Sequence, residues 1–191
     1  MKYLFSPLFI LFFHFSLAQN ILCEQDSIPL EEFNSKALAV VDDLGKYITI
    51  ISDKNSHWLD VKRAINLACD LFVNEEVQVE VSYLGRSEHT RYVIRDYLDR
   101  MKLLKYDKVD ISWSDIQYVS KLHKGTDGLY YGTISIQQRF SGIKDNKIVY
   151  KDITEKHIEV VLKPHTKVVD GESMILCDVY LGNIGVVVTN Q

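Results

Sequence analysis

Residues 129–140 read LYYGTISIQQRF, with the bulky apolar Tyr130, Ile134, Ile136 and Phe140 on one parity and Tyr131, Thr133, Ser135, Gln137 and Arg139 on the other. Successive side chains of a strand point to opposite faces, so this stretch is a strand with one face toward a core and one face away from it. It belongs to a series. From Lys108 onward four such stretches follow one another, 108–123, 128–141, 147–163 and 174–188, separated by KGTDG, SGIKDN and PHTKVVDGES. Those separators are rich in turn-forming residues, and connections this short join neighbouring strands antiparallel. In 108–123 the apolar residues are odd-numbered at Val109, Ile111 and Trp113, then even-numbered at Ile116, Tyr118 and Leu122. A change of parity needs one extra residue, which predicts a β-bulge at Ser114–Asp115. A second slip is expected near Asp152–Thr154, before Ile158, Val160 and Leu162 align. Long antiparallel strands with bulges bend, so the sheet is expected to curl.

The first half of the chain is helical in period. Phe33, Ala37, Val40, Leu44, Ile48 and Ile51 recur every three or four residues after Pro29, predicting a helix that runs through the β-branched stretch 47–51 to a stop at 52–55. Ser56 is the expected cap of a second helix carrying Trp58, Val61, Ile65, Cys69 and Phe72. VQVEVSY, residues 77–83, alternates as a short edge strand, and Gly85-Arg86-Ser87 leads to a third helix with Tyr97, Leu98, Met101 and Leu104 on one side. Its Arg91, Arg95, Asp99, Arg100 and Lys102 read as a solvated face.

The chain opens MKYLFSPLFILFFHFSLAQN, in which Lys2 precedes an apolar run ending at Ser16-Leu17-Ala18. This is the pattern of an export signal cleaved after Ala18, and the run is too short for a membrane span. Residues 19–32 are then a leader and 33–191 one domain. The residues before Cys23, Asn20-Ile21-Leu22, lack the small residue that precedes a lipidated cysteine. Removing residues 1–18 deletes Lys2 and no acid, so the net charge of −4 becomes −5, which argues against nucleic acid or anionic lipid as the main partner. Cys69 and Cys177 are either two buried thiols or a single bridge. The histidines, His57, His89, His123, His157 and His165 among them, have no metal-ligand spacing. There is no Walker loop, dinucleotide-binding glycine fingerprint, Gly-x-Ser-x-Gly elbow or His-Glu-x-x-His motif, and no cofactor is expected.

Helices, a short strand, another helix and four long strands in a curled antiparallel sheet form an α+β order that resembles the nuclear transport factor 2-like, or cystatin-like, superfamily over roughly residues 33–188. More locally, YLDRMKLLKYDKVDISWSDIQYVSKLHKGTDGLYYGTISIQQRF and CDVYLGNIGVVV look like an uncharacterised exported family of Gram-negative bacteria with this fold. The resemblance implies helices held in a cone-like sheet, a periplasmic or cell-envelope location, and a mouth that serves different members as active site, ligand pocket or binding surface. It transfers no catalytic residues.

Two functional readings follow. In the first, the chain is a non-catalytic binding domain for an envelope protein or small ligand. Its pocket candidates are Tyr97, Trp113, Asp115, Tyr118, Tyr130 and Gln138, and it forms a dimer through the outward row Tyr131, Thr133, Ser135, Gln137 and Arg139. In the alternative it is an isomerase- or dehydratase-like enzyme with Asp115, re-aimed by the bulge, as general base. The core-packing reading of the aromatics, the backbone-satisfying reading of Asp115 and the solvated reading of the outward row stand beside these.

Overall fold

A computed structural model describes residues 21–22, 30–82, 88–169 and 172–190; the expected export signal and Cys23 lie outside the described residues. Helix α1 (Leu30–Ser52) buries Phe33, Ala37, Val41, Leu44, Ile48 and Ile51. The apolar stripe passes through Val41 rather than Val40, which is half-buried. The β-branched run at its end is helical because Ile48 and Ile51 fall in phase with that stripe, and burying such side chains contributes about 1.5–3 kcal/mol each. Helix α2 (Trp58–Cys69) is capped by His57, whose Nδ1 accepts the Leu59 amide at 3.3 Å, and not by Ser56. Trp58 is mostly exposed, so the buried stripe starts at Val61. Phe72, beyond the helix, is buried where the chain bridges to Leu181.

Strand β2 (Gln78–Val81) is not an edge. A short strand missed in the sequence, β3 (Thr90–Val93), pairs outside it, from Gln78↔Val93 to Val81↔Thr90, and runs straight into α3 (Ile94–Met101). The long strands are β4 (Lys108–Lys124), β5 (Tyr130–Lys144), β6 (Lys147–Val169) and β7 (Glu172–Asn190). The sheet order is β3-β2-β7-β6-β5-β4, and β1 (Ile21–Leu22) pairs with β7 at Cys177 and Leu176, so the expected leader contributes a strand. Pairing is antiparallel except at β2 and β7, which meet in parallel at Val79↔Ile184. The helices pack on the inner face against Ile134 and Ile136 of β5, Ile158, Val160 and Leu162 of β6, and Leu181 and Ile184 of β7. This is an α+β arrangement, with the helices packed on one face of a largely antiparallel sheet.

The bulge expected in β4 is present. The register with β5 shifts between Ser114 and Gln117, and Asp115 takes φ 51°, a left-handed conformation that lets the strand absorb the extra residue. The slip expected near Asp152–Thr154 does not occur. Pairing of β5 with β6 runs unbroken from Tyr130↔Leu162 to Gly142↔Tyr150, so Asp152, Thr154 and Lys156 share the inner face with Ile158, Val160 and Leu162. The extra residues sit in β7, opposite Glu155–Lys156 and Ile158–Val160. The separator PHTKVVDGES is largely strand as well. Beyond Leu162, β6 pairs only with β7, and a strand with one open edge tolerates Pro164. The β5–β6 turn is the pair Asp145–Asn146, both at positive φ, in the two-residue geometry that suits strand twist.

Candidate functional site

Above the packed core the helices and sheet part, leaving a cavity of about 480 Å³. Tyr97, Arg100 and Met101 of α3 and the following Leu103, Leu104 and Tyr106 form one side. Val81, Ser82 and Tyr92 come from the β2–β3 end, Gln138 and Phe140 from β5, and Tyr150, Asp152, Thr154 and Lys156 from β6. The walls are therefore largely aromatic and aliphatic, with one polar row on the inner face of β6. Gly142 makes room for Tyr106: a Cβ there would lie 2.5 Å from the ring. Tyr106, Phe140 and Tyr150 form an aromatic cluster with ring centroids 5.9–6.2 Å apart.

The polar row is enclosed and networked. Asp152, Thr154, Lys156 and Gln138 are all less than a tenth exposed. Thr154 Oγ1 donates to Asp152 Oδ1 at 3.4 Å and lies 3.1 Å from Thr189 Oγ1, which in turn meets the Ser82 hydroxyl. Tyr150 also hydrogen-bonds the Asp152 carboxylate. Burial nevertheless dominates and holds the Asp152 carboxyl above its ordinary range, against the opposing Tyr150 bond, Lys156 charge and Thr154 bond. Lys156 Nζ donates to the Glu80 carbonyl at 3.4 Å. Burial pulls its amine down to about 8, although Asp152 and Glu80 both favour the charged form. The phenols of Tyr97 and Tyr106 are pushed up by burial and then by the Asp152 charge.

Glu80 anchors this wall from behind. Its carboxylate takes Arg91 Nε at 2.7 Å and the Val186 amide at 3.0 Å, the latter inside a bulged part of β7, and these bonds hold it below the usual carboxylate range. Arg91 thus belongs to an ion pair, Arg95 bonds Glu75 and Asn66, and Arg100 lies 4.4 Å over the Tyr92 ring at the cavity wall. These side chains remain exposed or half-exposed, as expected of a solvated face, with Arg91 on β3 rather than on α3.

Of the residues singled out in the sequence, Tyr97 and Gln138 line the cavity. Asp115 does not: it is exposed at the bulge, 3.5 Å from the Ser114 hydroxyl, and no cavity among the described residues encloses it. Trp113 packs on the core against α1, where a Cβ on Gly45 would come within 2.7 Å of its Nε1. Tyr130 is half-buried at the far end of β5, with Lys124 Nζ 5.5 Å from its ring. The Tyr118 side chain lies outside the described residues. Tyr131, Thr133, Ser135, Gln137 and Arg139 lie on the outward face, Tyr131 bonded to Asp127 at 2.5 Å and Ser135 to Glu155 at 3.2 Å. Cys69 is a free buried thiol and Cys177 is disulfide-bonded, so neither a Cys69–Cys177 bridge nor a pair of thiols describes them.

Sequence reading missed Asp152, Thr154 and Lys156. The available signal was parity: they continue the even-numbered series of Ile158, Val160 and Leu162, and polar residues on a core parity mark a lined cavity. Among the described residues, no group of three or more His, Cys, Asp or Glu is placed to hold a metal ion, and no helix is long and apolar enough to cross a membrane.

No family model matches the chain, and no curated protein matches it. Among solved structures it is similar to a "Putative Scytalone Dehydratase" from Novosphingobium aromaticivorans, with 12% identity, a TM-score of 0.43, and coverage of 84% of this chain and 87% of that one.

Proposed function

We propose that this is an exported binding protein of the bacterial cell envelope whose cavity takes a small molecule with an apolar body and one polar end. The carrying observation is the enclosed row Asp152, Thr154 and Lys156 on an otherwise apolar inner face. Buried polar groups cost stability unless matched, and a row of them facing free space supports a site that receives a ligand. The volume, about 480 Å³, suits a ligand of drug-like size. The apolar run before Ala18 supports export, as does the Cys177 disulfide, a bond that persists in oxidising compartments. The outward row from Tyr131 to Arg139 is the face through which a homodimer or an envelope partner associates. The test is a thermal-shift screen of small aromatic and aliphatic compounds on wild type and Leu104→Trp, which fills the cavity. The reading expects hits in wild type that the variant loses; hits retained in the filled variant contradict it.

A second reading is favoured by one observation, the raised carboxyl of Asp152 inside the cavity. An enclosed carboxyl poised nearer neutrality can act as a general base, so the isomerase- or dehydratase-like alternative rests on Asp152 in place of Asp115. In that case Asp152→Asn abolishes turnover while ligand binding survives; undiminished turnover in the variant contradicts the base role.

A further inference from the structure

The cavity contains a primary amine with an unusual setting. Lys156 is 4% exposed, and its Nζ is held by one neutral acceptor, the Glu80 carbonyl at 3.4 Å. Among the described residues no carboxylate reaches it within ion-pair distance, yet Asp152 on its own strand and Glu80 on β2 act on it through their charge. The other titratable groups at this cavity are the phenols of Tyr92, Tyr97, Tyr106 and Tyr150 and the guanidinium of Arg100, which is stacked on Tyr92. A buried lysine without a contacting carboxylate is costly as a plain structural residue. It is useful where a neutral amine must meet a ligand.

We propose that Lys156 is a nucleophile whose ε-amine forms an imine with the carbonyl carbon of an aldehyde or ketone ligand held in this cavity. The proposal rests on the reading of the cavity as a small-molecule site and names its ligand class. In the first step the neutral Nζ lone pair forms a bond to the carbonyl carbon while the C=O π bond opens, and the oxygen takes up the proton that nitrogen releases, giving a carbinolamine. In the second the C–O bond breaks, the hydroxyl leaves as water with the remaining nitrogen proton, and C=N forms. One water is released, and no oxidant or reductant enters. Once protonated, the imine keeps the positive charge that Asp152 and Glu80 favour.

Three features support this class. An amine held down to about 8 is neutral in roughly one molecule in ten at pH 7, against about one in three thousand for an ordinary lysine. The two carboxyl groups near it disfavour an anionic ligand and do not oppose an uncharged carbonyl. The walls of Leu104, Met101, Phe140 and Tyr106 suit an apolar substituent on that carbonyl.

The test uses the full chain with benzaldehyde and cyanoborohydride at pH 7, followed by intact mass and peptide mapping. Reduction of the imine leaves one benzyl group on the nitrogen that formed it. Lys156 is expected to be labelled at least about tenfold faster than the exposed lysines, as its larger neutral fraction dictates. Lys156→Arg is expected to lose this fast site and keep the slow background. The mapping is done on wild type, so a variant that fails to fold does not remove the test. Labelling spread over the surface lysines, with Lys156 no faster, overturns the proposal. Benzyl alcohol, which has no carbonyl, is run in parallel for thermal protection. Protection by the alcohol without preferred labelling of Lys156 sinks the imine and leaves the cavity reading standing; neither protection nor labelling sinks both.

Discussion

At the scale of single residues, Lys156 and Asp152 oppose each other in their effect on stability. The Lys156 amine has its folded-state value lowered to about 8 from 10.5, so between those values the unfolded chain binds more protons and stability rises with pH. Its burial costs on the order of 3 kcal/mol below that window, a cost relieved as pH climbs toward the ordinary lysine value. Chemical denaturation of wild type and Lys156→Met from pH 7 to 10.5 should therefore show wild type gaining about that amount relative to the variant; parallel curves would mean that the amine is not desolvated. Asp152 has the reverse sign. Its folded-state value is raised, so the folded form binds the extra proton and stability falls as pH rises from the ordinary aspartate value to the raised one. Relative to Asp152→Asn, wild type should lose stability across that interval, and a relative gain would contradict the burial argument. Gly142 is the third case. A methyl group there collides with the Tyr106 ring, so Gly142→Ala should cost about 1–3 kcal/mol and weaken ligand binding, measured by denaturation and titration.

At the scale of elements, the bulge in β4 makes a sharp prediction. Asp115 sits at φ 51° with an exposed side chain, so Asp115→Gly should be neutral or stabilising, whereas Asp115→Val should cost about 1–2 kcal/mol in the same denaturation assay. Equal stabilities would show that the strand does not need the left-handed residue. That bulge was legible because Trp113 and Ile116 break parity across two residues. The four long strands and the two main helices were legible for the same reason, a period sustained over many residues. Elements without a sustained period were not. Thr-Arg-Tyr-Val of β3 is too short to show alternation, and Pro164 with its neighbours reads as a turn although β6 continues to Val169. The site was legible only in part. Tyr97 falls on the apolar stripe of α3 and Gln138 on the apolar parity of β5, but on β6 the inner face is carried by Asp152, Thr154 and Lys156, and a search for apolar alternation passes over charged residues. Asp115 enters only the alternative reading, because a bulge can re-aim a side chain; here the bulge keeps it in solvent.

At the scale of the molecule, the packed core and the open cavity divide one inner face of the sheet between them. Ile134, Ile136, Ile158 and Leu162 belong to the packed core, while Gln138, Asp152 and Lys156, on the same parities, line the cavity beside α3. The proposed function requires that this space exist in solution and take a small apolar molecule. Methyl NMR during titration with benzyl alcohol tests it most directly. Saturable shifts are expected at Val81, Met101 and Leu104, which line the cavity, with the exposed methyls of Leu67 and Val149 unmoved. Shifts confined to exposed methyls, or absent throughout, would contradict it.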